Sequence, residues 1–159
     1  MSIEKVRSYF AQQGFASRII EFEVSSATVA LAAQALGCEE SRIAKTLSFM
    51  TESGPSLIVA AGDVKIDNPK YKAVFGCKAK MLSHEQAEAL IGHAVGGVCP
   101  FAVNAGVAVY LDESLRRFEQ VFPACGSSNS AIGLSLEELE FLARPMGWID
   151  VCKIKEDLA

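Results

Sequence analysis

The chain has 159 residues, half of them apolar, with a formal net charge of −4 and an isoelectric point near 5.2. That length fits one domain around one core, and a mean hydropathy of +0.25 excludes a disordered chain. The acidic balance argues against a protein that coats duplex DNA, and no apolar run approaches the length that spans a bilayer.

The first predicted element is a helix over Ser2–Gly14. Ile3, Val6 and Phe10 share one face, Ser2 is placed to cap the start and Gly14 to end it. Charges interrupt the apolar pattern of this N-terminus, so it does not read as a signal peptide, and a cytoplasmic protein is expected. Ser17–Val24 alternates enough for a strand. Thr28 is a plausible N-cap for a helix that Gly37 stops. Strands are expected over Ile43–Met50 and Ser56–Gly62. A short helix over Asn68–Gly76 carries Pro69 in its first turn, and Lys78–Leu82 reads as a short strand. Ser83-His84-Glu85-Gln86 is a capping box that opens a helix to Gly92. A glycine-rich loop follows, Gly92–Ala102, with Cys99 directly before Pro100. Gly106–Leu115 reads as a strand, and Arg116–Gly126 as a strand or irregular segment. A second capping box, Ser135–Glu138, opens a helix to about Ala143. Gly147–Ile154 reads as a last short strand. Helices and strands mix without strict alternation, which predicts a mixed sheet with packed helices and not a doubly wound parallel fold.

The five cysteines, Cys38, Cys77, Cys99, Cys125 and Cys152, are odd in number and widely spaced, with no C-x-x-C. Reduced thiols fit best. With only His84 and His93 available, a histidine-rich metal site is excluded. No glycine fingerprint for a dinucleotide or a triphosphate follows a strand. Neither metal nor cofactor is therefore expected.

Lys45 is the strongest anomaly. On a strand it shares a face with Ile43, Leu47 and Phe49, which puts an ammonium among core-facing side chains. Either it snorkels to the rim, or it lines a pocket where it could hold a phosphate or stabilise charge developing on a carbonyl oxygen. In the loop, Gly96 and Gly97 allow close backbone approach and expose N–H donors, and Pro100 fixes the exit. The same composition also suits an ordinary tight connection. Cys99 invites a nucleophile reading with His93 as base, but spacing alone does not put the two in contact. His84 and Asp112 read as capping residues. Cys125–Ser130 is either a polar turn or a second pocket wall. Lys65, Lys70, Lys72, Lys78 and Lys80 stand against a single Asp67, as a solvated face or a phosphate-facing patch.

The order of these segments, "TVALAAQALG", "RIAKTLSF", "LIVAAGDVKID", "GHAVGGVCPFA", "VYLDESL" and "GSSNSAIGLSLEEL", resembles the YbaK/prolyl-tRNA synthetase editing-domain family from about residue 16 to residue 143. The resemblance implies one α+β domain across residues 1–159 with a strongly curved, barrel-like mixed sheet. It implies a free-standing, trans-acting hydrolase of mischarged aminoacyl-tRNA, using neither metal nor covalent nucleophile, with tRNA for proline carrying a small amino acid as substrate. It places Lys45 near the terminal adenosine and the scissile ester. It gives the loop Gly96, Gly97, Val98, Cys99 and Pro100 the task of positioning the aminoacyl group. Leu47 is expected to size the amino-acid pocket, Ser127 and Asn129 to wall it, and the five lysines to grip the acceptor end of the tRNA. A prolyl-tRNA synthetase is an implied partner. A binding module without turnover and a thiol enzyme built on Cys99 are the alternatives. The chain departs from the family pattern at Cys99, where many members carry serine, at Ala102, where many carry glycine, and at Ser130, where some carry histidine.

Overall fold

A computed structural model of the protein describes residues 2–94 and 96–155; Val95, within the glycine-rich loop, lies outside the described residues. Helix α1, Ser2–Gln13, buries Val6 and Phe10 completely. It begins at Ser2 itself, whose hydroxyl donates to the Gly126 carbonyl and so ties the helix to the far end of the chain. The strand expected over Ser17–Val24 is shorter. A 3-10 turn occupies Ala16–Arg18, and only β1, Ile20–Glu21, pairs, with β7 at Ser130–Ala131. Helix α2, Val29–Leu36, is capped by the Thr28 hydroxyl, which accepts from the Leu31 N–H, and is closed by Gly37 in the left-handed conformation.

Strands β2, Ile43–Thr51, and β3, Gly54–Ala61, form an antiparallel hairpin at the centre of the sheet. From Leu57 to Ala61 β3 has no exposed surface, which is why it reads as an unbroken apolar run. After β4, Val64–Ile66, and helix α3, Asn68–Phe75, the polypeptide returns along β2 through a single bridge between Phe49 and Met81. Helix α4, His84–Gln86, carries the expected capping box but passes into a π-helical turn over Ala87–Ile91. Beyond the loop come β5, Ala108–Asp112, and β6, Gln120–Pro123. Then β7 is followed by β8, Leu134–Ser135, helix α5, Leu136–Ala143, and β9, Gly147–Ile149. The expected last strand is two strands in two sheets, because β10, Cys152–Ile154, leaves β9 and pairs with β4. Asp112 fixes that corner. One carboxylate oxygen caps the Ser114 N–H and the other accepts the Val151 N–H.

The main sheet has the order β8-β6-β2-β3-β5-β9 and curls into a half-barrel, so the protein is a single α+β domain. Its outer ladder on β2 is interrupted. Ile43 and Ala44 pair with β6. The Ser48 carbonyl and the Met50 N–H then pair with Leu82 and Lys80. Thr46 has the same parity as Ala44, Ser48 and Met50, so its N–H and carbonyl face that edge. Among the described residues nothing pairs with them.

The loop ends in backbone strain. Ala102 has φ +52°, a left-handed conformation in which an L residue costs about 1–2 kcal/mol. A glycine there would relieve this, less about 0.5–1 kcal/mol for its freer unfolded state. Ala102→Gly is expected to raise stability by about 0.5–1 kcal/mol. A higher urea midpoint at unchanged slope is the readout, and a lower midpoint would contradict the strain argument.

Candidate functional site

The interruption in β2 opens onto a cavity of about 500 Å³, within the range of small-molecule sites. Ala44, Lys45, Thr46 and Ser48 of β2 form one wall, with Val29 and Ala32 of α2 and Phe122 of β6 opposite. Gly96 and Val98 of the loop, Ser130 of β7, and Leu82 to His84 complete it. The cavity thus joins Lys45 to the glycine-rich loop across about 50 residues of sequence.

Lys45 is half-buried, and its ammonium donates one of its three N–H groups to the Val64 carbonyl on β4. Burial, followed by the nearby Lys155 ammonium, pulls its pKa down to about 8, against partial support from Cys152 and Asp63. Asp63 is itself held in a bidentate pair by Arg117 at 2.6 and 3.0 Å. The Arg117 hydrogen bond is the main reason its carboxyl lies below the ordinary range.

The loop residues divide into two groups. Gly96, at φ +86°, and Val98 reach the cavity. Gly97 is buried behind it, where an added Cβ would lie 2.6 Å from the Gly126 carbonyl carbon and the Ser127 nitrogen. Its N–H is not free for a ligand, since it donates to the Ala94 carbonyl at 3.0 Å. Pro100 is buried and lines a second, smaller cavity with Tyr9, Ala102 and Val103. The Cys99 side chain is fully buried in the core.

His93 and Cys99 do meet, with Nε2 3.6 Å from Sγ, both fully buried. The pair does not make a nucleophile. His93 Nε2 lies 2.7 Å from the Phe101 carbonyl, which only accepts, so in the neutral ring this nitrogen carries the proton. It has no lone pair for the thiol. Burial pushes Cys99 up to about 12, so thiolate is scarce at neutral pH.

Three other expected wall residues lie elsewhere. Leu47 packs against the core beside the strand and does not reach the cavity. The Ser127 hydroxyl lies 3.0 Å from Asn129 Oδ1 and 2.7 Å from the Ser130 hydroxyl. The Asn129 amide donates to the Phe22 carbonyl. Both residues therefore brace the cavity from behind, and Ser130 and Ala131 present the surface. Sequence reading missed Ser26, Thr28, Thr46, Ser48 and His84 on the wall. For Thr46 and Ser48 a signal existed, the period-two spacing from Ala44 along a strand that is evident in the sequence.

The lysines do not form one patch. Lys70 bonds Asp150 at 3.0 Å and the Cys152 carbonyl at 3.1 Å, bracing the C-terminal strand. Lys65 is exposed on β4. Lys72 and Lys78 are exposed on either side of a surface hollow of about 530 Å³ that Asn68, Pro69 and Ala79 complete. Lys80 is exposed next to Met81, a cavity residue.

A profile of the aminoacyl-tRNA editing domain matches residues 23–142, about three quarters of the sequence. The chain belongs to the aminoacyl-tRNA editing domain family. It is 53% identical over 154 residues to the uncharacterized protein YwhH of Bacillus subtilis (strain 168), covering 96% of this chain and 98% of YwhH. It is 28% identical over 95 residues to a proline--tRNA ligase of Limosilactobacillus fermentum, a match to 56% of this chain and 17% of the ligase. A solved structure described as a candidate trans-editing enzyme for prolyl tRNA synthetase shares the fold with a TM-score of 0.85 and 29% identity, over 96% of this chain and 97% of that one. Among the described residues no helix is long and apolar enough to cross a membrane.

The buried His93 gives a pH prediction. Burial lowers its pKa from the ordinary 6.5, and Nδ1 has no hydrogen-bond partner among the described residues. The unfolded protein therefore binds the proton first, and stability falls as pH drops below about 6.5. The urea midpoint is expected to fall between about pH 7 and about pH 5. His93→Gln, which keeps an N–H for Phe101, is expected to flatten that slope. An equal slope in both proteins would remove His93 as the cause.

Proposed function

We propose that the protein is a trans-editing deacylase that hydrolyses the ester of mischarged aminoacyl-tRNA, with tRNA for proline carrying a small non-cognate amino acid as its substrate. The observation that carries the reading is the cavity that joins Lys45 to Gly96 and Val98 in a member of this family.

In this reading the aminoacyl ester enters the cavity with its carbonyl oxygen toward Lys45. Water attacks the carbonyl carbon, and negative charge develops on that oxygen. The ammonium stabilises the charge from a site where burial weakens screening. The tetrahedral species then collapses to the free amino acid and the terminal ribose hydroxyl. Val98 and Gly96 restrict where the acyl group lies, which is catalysis by positioning. Neither a thiol nucleophile nor a triad is used, in keeping with the buried, protonated state of Cys99.

Deacylation of tRNA for proline charged with alanine, cysteine, serine, threonine or proline tests the proposal. Wild type is expected to hydrolyse at least one mischarged species and to spare the prolyl ester. Lys45→Ala is expected to lose about 10²- to 10³-fold in kcat, the scale of losing one oxyanion donor. The enzymatic rate, corrected for spontaneous hydrolysis, is expected to decline as pH rises through about 8, where Lys45 loses its proton. Lys45→Arg, which stays charged, is expected to move that decline upward. Binding of charged and uncharged tRNA alike, without ester loss, would instead make the protein a binding module.

The lysines flanking the surface hollow are proposed to meet tRNA phosphates. Lys72→Glu with Lys78→Glu is expected to raise KM about tenfold, to leave kcat within about twofold, and to weaken the salt dependence of KM. An unchanged KM would rule out this contact.

A further inference from the structure

Two hydroxyls on the cavity wall have no task in the mechanism above. Thr46 Oγ1 is buried and has no hydrogen-bond partner among the described residues. Leaving such a group unpaired costs about 1–3 kcal/mol, so its presence asks for a partner that arrives with the substrate. Ser48, two residues on and on the same side of the strand, is 8% exposed and makes no side-chain hydrogen bond among the described residues. Both line the cavity; Thr46 lies where the ladder along β2 is interrupted, and Ser48 where it resumes. The other buried hydroxyls on the wall are occupied. Ser130 is held by Ser127, and Ser26 lies 3.3 Å from the Ser128 carbonyl.

The rest of the nearby wall is small and apolar. Ala44, Ala87, Ala124 and Val98 leave room but offer no side-chain hydrogen bond. An alanyl methyl would fit among them and leave Thr46 Oγ1 unpaired. A side chain ending in a hydroxyl would satisfy it. A hydroxyl both donates and accepts, so it can pair with Thr46 and Ser48 at once, whereas the side-chain methylenes of proline can do neither.

We infer that Thr46 and Ser48 are the specificity determinants of the site, and that they select a mischarged amino acid with a small hydroxyl side chain, serine or threonine, over alanine. The inference rests on the deacylase reading. Sites built to hydrogen-bond a substrate hydroxyl discriminate strongly against the analogue that lacks it, because their own polar groups are then left unpaired. The unpaired backbone carbonyl of Thr46, on the same stretch, is an acceptor for the α-ammonium of the same amino acid. The two contacts together would set its orientation.

The test uses tRNA for proline charged with serine, threonine or alanine. The proteins are wild type, Thr46→Val, Thr46→Ser and Ser48→Ala. Wild type is expected to hydrolyse the seryl or the threonyl ester with kcat/KM at least about tenfold above the alanyl ester. The preferred one of the two names the side chain. Thr46→Val, which keeps the shape and removes the hydroxyl, is expected to lower the ratio of kcat/KM for that ester over the alanyl ester by about tenfold or more. Ser48→Ala is expected to change in the same direction. Thr46→Ser restores a hydroxyl and is expected to recover activity, which a merely structural role for the threonine would not produce. An alanyl ester hydrolysed as fast as the others, or an equal loss on all three esters in Thr46→Val, would overturn this inference and leave the deacylase reading standing. The second pattern would assign the hydroxyls to the ribose common to all three. No hydrolysis of these three esters by wild type would overturn this inference, and no hydrolysis of the cysteinyl ester either would overturn the deacylase reading as well.

Discussion

The site depends on one backbone-to-backbone contact. Gly97 lies so close to Gly126 and Ser127 that no side chain fits between them. This contact seats the glycine-rich loop on the segment that leads into β7, and so sets Gly96 and Val98 opposite β2. The same segment receives the Ser2 hydroxyl from α1 through Gly126, and its Ser128 carbonyl accepts the Ser26 N–H ahead of α2. Four distant parts of the sequence therefore converge on a few residues, and the cavity is the space they leave beside an unfinished strand edge.

The second requirement is that the edge stay unfinished. A mixed sheet normally completes its ladders, because an unpaired N–H or carbonyl away from water is costly. Here β6 leaves β2 after Ala44, and the returning segment joins only at Ser48. The interval holds Lys45 and Thr46, a cation and an unpaired hydroxyl. Groups of this kind destabilise a core, and their concentration at one point is what distinguishes a binding site from packing.

Much of this is legible in the sequence, for identifiable reasons. The α2 cap and stop, both capping boxes and the two central strands rest on local chemistry, and local chemistry is what a sequence displays. Lys45 stands out because a cation interrupts an apolar face. The errors are of another kind. Strand parity assigns Leu47 to the lysine's face, and that face is covered by the core. Ser127 and Asn129 attract notice for their polarity, but polar groups in a tight turn bond one another first. The lysine cluster is contiguous in sequence, but Lys70 is drawn out of it into a pair with Asp150, a partner 80 residues away. The interruption in β2 is not legible at all, since it depends on where two other segments end.

The carbonyl that holds Lys45 adds a different kind of consequence. The groups that shape this site belong largely to the backbone: the Val64 oxygen, the Thr46 edge, and the Gly97–Gly126 contact. A substitution that trims a side chain leaves a peptide oxygen where it was. A scan that trims side chains therefore does not read these backbone groups. Replacing single amides by esters, which removes one N–H and weakens one acceptor, would detect the remainder.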